Sequence, residues 1–341
     1  MKFLVTGVAG FIGFHVTKHL LEDGDEVIGL DNLNNYHQDI HLKMARLKII
    51  SDYNNFTFIK EDIANREVII DLFRVHMVQR VIHLAAQAGV RYSLENPFLY
   101  VHANLVGYLN ILEGARQYHV EHILYASSSS VYGLNHKMPF SVNDDTTHPL
   151  SLYAATKKSN ELMSHSYSHL YGIPTTALRF FTVYGPWGRQ DMALFKFIQS
   201  ILLDEAISIY NYGQMERDFT YIDDVVEAIM ALHHIIPTID KEWVAENGQL
   251  SSSTAPYRVY NIGRGQPVTL MTYIMALENA LGKVATIKML PRQPGDMIAT
   301  SADISSLIRV IGFQPLTSVE EGVRRFVKWY QEFYASNIHT S

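Results

Sequence analysis

Phe3-Leu4-Val5-Thr6-Gly7-Val8-Ala9-Gly10-Phe11-Ile12-Gly13 is the stretch that decides the architecture. An apolar run ends, glycines follow at positions 7, 10 and 13, and a helical pattern begins. A buried strand that stops there lets the backbone turn tightly with no Cβ in the way. The helix that follows directs its N-terminal N–H groups at an anion, as a pyrophosphate requires. The next apolar run, Glu26-Val27-Ile28-Gly29-Leu30-Asp31, ends in a carboxylate 18 residues past Gly13. A carboxylate there accepts both adenosine ribose hydroxyls and repels a 2′-phosphate, favouring NAD over NADP.

The same rhythm continues through the first 180 residues. Short β-rich runs at Lys2 to Thr6, Glu26 to Leu30, Phe56 to Lys60, Arg80 to Leu84, His122 to Ser127 and Thr175 to Phe180 alternate with helical patterns. Those patterns cover about 11–22, 65–76, 97–118 and 150–171, with an additional helix within Asn32 to Ser51. Alternation of this kind implies right-handed crossovers and a parallel sheet covered on both faces. The expected fold is α/β, a Rossmann-type doubly wound parallel sheet with a smaller C-terminal α/β lobe. Residues 1–180 would form the NAD-binding domain. Residues 181–341, where the rhythm becomes irregular without any linker, would mainly bind substrate, with some segments packing back on the first domain. Ligands in open α/β sheets sit outside the carboxyl ends of the strands, so the turns after Thr6, Leu30, Lys60, Leu84, Ser127 and Phe180 should line the cleft.

Composition narrows the partners. The 341 residues are 48% apolar and 18% charged, with net charge −6, which argues against nucleic acid or a membrane surface as partner. An anionic ligand must then be met by local arginines. The chain has no cysteine, so it has neither disulfides nor a thiolate nucleophile, and it suits a reducing cytoplasm. The opening Met1-Lys2-Phe3-Leu4-Val5 reads as a strand rather than a leader, because three glycines and then His15 and Lys18 break the apolar stretch. Sixteen histidines are scattered without a metal-ligand spacing, so no metal is expected.

Tyr153-Ala154-Ala155-Thr156-Lys157 places a phenol and an ammonium at i and i+4 on one helical face. At the end of the fifth strand stands Ser127-Ser128-Ser129-Ser130-Val131-Tyr132-Gly133, poor core material that offers several hydroxyls. A phenol has an ordinary pKa of about 10, so a tyrosine base needs a neighbouring cation to bring it toward neutrality. Lys157 and an oxidised nicotinamide supply that charge, and Ser128 orients a substrate alcohol. Together they form a device that takes a proton from an alcohol while hydride leaves its carbon for NAD.

Gly7/Gly10/Gly13, Asp31, Asp62-Ile63, His83-Leu84-Ala85-Ala86, Asn104, the serine strand end and Tyr153/Lys157 together resemble the extended short-chain dehydrogenase/reductase family. The match covers nearly the whole chain, in order. The resemblance implies that Phe11 and Ile12 join the glycines at the cofactor, Asn32 accompanies Asp31, and Asp62 and Ile63 flank the adenine. It also implies that Leu84, Ala85, Ala86 and Gln87 line the cofactor together with Ser127 and Phe180, and that Asn104 supports that side. Dehydratases on this scaffold carry an Asp-Glu pair where Ser129 and Ser130 stand here. The serine run is instead similar to that of NAD-dependent nucleotide-sugar 4-epimerases. Arg179-Phe180-Phe181-Thr182-Val183-Tyr184-Gly185-Pro186-Trp187-Gly188-Arg189 resembles those acting on UDP-hexuronic acids, with Gln190 in place of a proline before Asp191.

By that resemblance Arg217 grips the nucleotide diphosphate, Asp296 meets the nucleotide ribose, Arg292 reaches a phosphate, and Arg91 faces the sugar. Ala193 and Phe195 begin a helix over the uracil. Thr182 and Arg189, with Ser129 and Ser130, would hold the C6 carboxylate. The planar fork of an arginine suits that task. Three enzymatic readings remain open at this level: 4-epimerisation of UDP-hexuronates, 4-epimerisation of neutral or N-acetylated UDP-hexoses, and uronate decarboxylation. A non-catalytic NAD-sensing protein is the alternative of another class, but such proteins have usually lost the tyrosine or lysine that this chain keeps. The helical patterns at 97–118 and 150–171 resemble a four-helix interface and imply a homodimer.

Overall fold

Seven strands, all parallel, make the central sheet: β1 (Lys2–Thr6), β2 (Glu26–Asp31), β3 (Phe56–Lys60), β4 (Arg80–His83), β5 (His122–Ser128), β6 (Thr175–Phe180) and β7 (Tyr257–Ile262). Their spatial order is β7-β6-β5-β4-β1-β2-β3 in a computed structural model that describes residues 1–35, 40–292, 298–312 and 314–338. The first six strands lie within one residue of their expected ends. The seventh was not anticipated, because Arg258 and Asn261 interrupt its apolar pattern. Pairing in register with β6, from Tyr257 on Thr175 to Ile262 on Phe180, creates it.

Helices cover both faces. α1 (Phe11–Glu22), α2 (Ile40–Ile50) and α7 (Ile222–His233) lie on one, and α3 (Arg66–His76), α4 and α5 (Leu152–Tyr171) on the other. Here α4 is a continuous helical run of Pro97–Tyr100, a wider π-helical stretch Val101–Gly107, and Tyr108–Gln117. Side chains alternate along β1: Phe3 and Val5 join Phe14, Leu20, Val225 and Ile229, whereas Leu4 joins Ile69, Phe73 and Ile111. Both sets are apolar because neither face of the sheet meets water.

Strand order reverses at β1, with β2 on one side and β4 on the other; Thr6 pairs with Leu30 and with His83. The crevice at such a reversal opens above the carboxyl ends of the strands. The second half of the chain closes over it with α6 (Ala193–Leu202), α8 (Leu270–Leu281), α9 (Val319–Ile338) and three two-stranded ribbons. It also contributes α7 and β7 to the central layers. One apolar core runs from α1 into Phe195, Phe219, Tyr273 and Phe326, so the two halves share buried contacts. Among the described residues, no helix is long and apolar enough to cross a membrane.

Candidate active site

The turn after β1 is built as its glycines predict. Gly7 has φ +73°, and its N–H donates to Leu30 O at 2.7 Å. A Cβ on Gly7 would stand 2.8 Å from Ala85 N, and one on Gly13 only 2.1 Å from Gly7 O. Glycine is therefore needed for the turn to nestle against β4 and for α1 to approach the turn. α1 starts at N-cap Gly10 with no side-chain cap and no acidic residue in its first turn. Its leading N–H groups thus face the crevice without a competing carboxylate. Asp31, 6% exposed, accepts from Ala9 N at 3.2 Å and Leu33 N at 2.8 Å, which fixes the carboxylate at the edge of the turn. Glycine cradle, uncapped helix start and fixed carboxylate fit a dinucleotide such as NAD.

A cleft of about 480 Å³ runs along the strand ends. Strand order distributes its chemistry. Asp62-Ile63 and Asp31-Asn32 lie at the β3 and β2 side, and the glycine turn with Phe11 and Ile12 at β1. Leu84 to Gln87 follow at β4, then the serines of β5 and Phe180 of β6. Asp62 is held by Asn32 Nδ2 at 3.0 Å and by Ala64 N at 2.8 Å.

Tyr153 and Lys157 come to the β5 side because Ser151 caps α5, accepting from Ala154 N at 3.1 Å. Tyr153 is the second residue of that helix, where the positive end of the backbone dipole favours a phenolate. Burial pushes its phenol above the ordinary value; hydrogen bonding with Ser128 and the charge of Arg189 pull it down. Lys157 donates to Ala126 O at 2.9 Å, and burial lowers its ammonium to about 8. Arg189 thus adds a second side-chain cation to the cleft that Tyr153 and Lys157 line. Ser128 accepts from Ser130 N at 3.2 Å and donates to Ser130 Oγ at 3.2 Å. Ser129, Ser130 and Thr182 line the same end of the cleft as Arg189, whose Nε and Nη2 donate to Asp191 at 2.9 and 2.6 Å.

Other expected residues stand elsewhere. Asn104 is buried behind the cleft in the π-helical stretch: it accepts from Gln87 N at 2.8 Å and donates to Gln87 O and Thr156 Oγ1, each at 3.0 Å. It fixes the loop after β4 against α5. Arg91 is exposed and stacks over Tyr210 at 5.5 Å. Arg217 donates to Glu216 O and Ile298 O, and Arg292 is exposed. Ala193 and Phe195 border a smaller cavity of about 40 Å³, and the Phe195 ring packs edge-on against Phe326 at 5.1 Å. Asp296 lies outside the described residues.

Residues 3–263 match the NAD dependent epimerase/dehydratase family. The chain belongs to that family. It is 50% identical to a probable UDP-glucuronate 4-epimerase of Rhizobium meliloti, with all of both chains covered. It is 53% identical to Protein CapI of Staphylococcus aureus, covering 98% of this chain and 99% of that one. Its fold matches a crystal structure of UDP-glucuronic acid 4-epimerase from Bacillus cereus in complex with UDP-glucuronic acid and NAD. That TM-score is 0.87 at 33% identity, covering 98% of this chain and 100% of that one.

In this NAD dependent epimerase/dehydratase, sequence reasoning passed over several buried polar groups at the site. Glu161, one turn beyond Lys157, pairs bidentately with Arg179 at 2.9 and 3.0 Å and accepts from Ser127 Oγ at 2.7 Å. The pair ties α5 to β5 and β6 beneath the cleft. Arg179 and Lys158, with the Ser127 hydroxyl, hold the Glu161 carboxyl down at about 2 against its burial. Lys43 of α2 lies 3.5 Å from Asp31, and Arg46 of the same helix is fully buried. The signal was available, since Leu42, Arg46 and Ile50 recur every four residues and so place Arg46 on the apolar face.

Proposed function

We propose that the protein is a UDP-glucuronate 4-epimerase, interconverting UDP-glucuronate and UDP-galacturonate. The observation that carries the proposal is that Arg189 lines the same cleft as Tyr153, Ser128 and Lys157. In a hexuronate the C6 carboxylate lies beside the C4 substituent, so a base at C4 and a guanidinium near that base match one sugar ring. Bound NAD supplies the acceptor and donor of the C4 hydride and, when oxidised, a positive charge near the phenol. Tyr153 takes the proton of the C4 hydroxyl, aided by Ser128 and the start of α5, and returns it after the 4-keto sugar has turned its other face. Lys157, anchored on Ala126 O, holds the nicotinamide ribose.

A 4-keto uronate is a β-keto acid and loses CO₂ when the C5–C6 bond aligns with the carbonyl π system. Arg189, Thr182, Ser129 and Ser130 hold the carboxylate out of that alignment, which favours epimerisation over decarboxylation. Arg217 and Arg292 serve the diphosphate, and Arg91 the sugar side of the rim. The product is an activated uronate donor for polysaccharide synthesis in the cytoplasm. The working unit is a homodimer: α4 and α5 expose Phe98 (86%), Leu162 (59%) and Leu170 (67%), an apolar face that a second copy would cover.

The test is direct. Purified protein, incubated with UDP-glucuronate and no added NAD, should form UDP-galacturonate without net NADH. A preference for UDP-glucose, or UDP-pentose as the main product, would select a rival reading.

A further inference from the structure

The fully buried Arg46 guanidinium, on α2, touches both ends of the site through backbone carbonyls. Nη1 donates to Ala9 O at 2.8 Å, within the glycine turn. Nε and Nη2 donate to Trp187 O at 3.2 and 2.7 Å, and Nη2 also to Gly188 O at 3.0 Å. One residue earlier, Pro186 O meets His15 Nε2 of α1 at 3.0 Å; a carbonyl oxygen can only accept, so Nε2–H is the donor. Three consecutive carbonyls are thus gripped by side chains from the cofactor half, and the next residue is Arg189. Trp187 itself has φ +61°, a left-handed conformation that a bulky residue keeps only when its surroundings enforce it. Its ring is lodged against Phe14 at 5.5 Å and Phe333 at 5.0 Å.

We infer that Arg46, seconded by His15, is a positioning residue that sets Arg189 for the sugar carboxylate and ties that setting to the pyrophosphate turn. The inference rests on the uronate reading above. A planar fork is needed because three carbonyls in different directions must be met at once. An ammonium at the same place meets them less completely, although it keeps the charge. Small displacements of such a loop weaken selective contacts without unfolding the protein.

The experiment uses the NAD-loaded protein and compares wild type, Arg46→Lys and His15→Leu. Affinities for UDP-glucuronate and UDP-glucose are measured by calorimetry, together with the fraction of turnovers that release CO₂. Arg46→Lys should bind UDP-glucuronate roughly 5- to 20-fold more weakly, with UDP-glucose affinity unchanged and a raised CO₂ fraction. His15→Leu, which leaves the Ala9 contact intact, should move the same two readouts in the same direction by less. Equal losses for both ligands would make Arg46 a scaffold residue and overturn the inference, as would unchanged selectivity in both variants. Should Arg46→Lys not fold, His15→Leu decides alone. Wild-type protein that ignores UDP-glucuronate overturns the functional reading and the inference with it. Wild-type epimerisation with unaltered variants overturns the inference alone.

Discussion

Arg189 and Asp191 form a two-point ion pair at the end of the cleft where Tyr153 stands, so the charge acting on the phenol is shared with a carboxylate. Removing either partner should move the phenol in opposite directions. Arg189→Ala takes away a cation and should shift the base limb of the pH–rate profile to higher pH. Asp191→Asn leaves the cation uncompensated and should shift it lower. Parallel shifts in the two variants would show that the pair does not tune Tyr153. Arg189→Ala should also raise KM for UDP-glucuronate while UDP binding stays close to wild type.

Tyr153→Phe keeps the ring but removes the proton acceptor. Its kcat should fall by roughly 10²- to 10⁴-fold with little change in UDP affinity. Near-normal kcat would remove this residue from the mechanism.

Asp31 is fixed by two backbone N–H groups at the edge of the glycine turn. Asp31→Ala should weaken NAD retention by about 1.5–3 kcal/mol, the usual worth of hydrogen bonds to a charged group. NAD released on denaturing protein purified without added nucleotide gives the measurement. An undiminished NAD content in the variant would assign ribose recognition elsewhere.

Burial holds four histidines neutral in the folded chain: His15 and His233 at about 4, His83 and His122 at about 3. An unfolded histidine titrates near 6.5, so between that pH and about 4 the unfolded chain binds more protons. The stabilisation from neutral burial is complete above about 6.5 and is lost as pH falls. Melting temperature should therefore decline from about pH 6.5 downward, before Glu161, at about 2, begins to protonate. A flat profile between pH 7 and 5 would contradict this.

Glu161→Gln leaves Arg179 buried without its carboxylate. The expected loss is about 3–5 kcal/mol of unfolding free energy, measured by urea titration. Because Glu161 shares a helical face with Lys157, kcat should fall as well. A loss below about 1 kcal/mol would show that Tyr132 and Val142 O suffice for Arg179.

The sequence by itself determined the first six strands, the α1 turn and the Tyr153/Lys157 face. Each is local: an apolar period, a glycine where a Cβ would clash, or an i, i+4 spacing is written in adjacent residues. Tertiary structure decided what depends on residues distant in the chain. Tyr257–Ile262 became a strand because β6 offered an unpaired edge, and Asn104 found its partners in Gln87 and Thr156, 17 and 52 residues away. Arg46 meets carbonyls 141 and 142 residues away, and Arg189 comes to line the same cleft as Tyr153 and Lys157. Electrostatics and hydrogen bonding act through space, so only the folded chain shows which charge reaches which group.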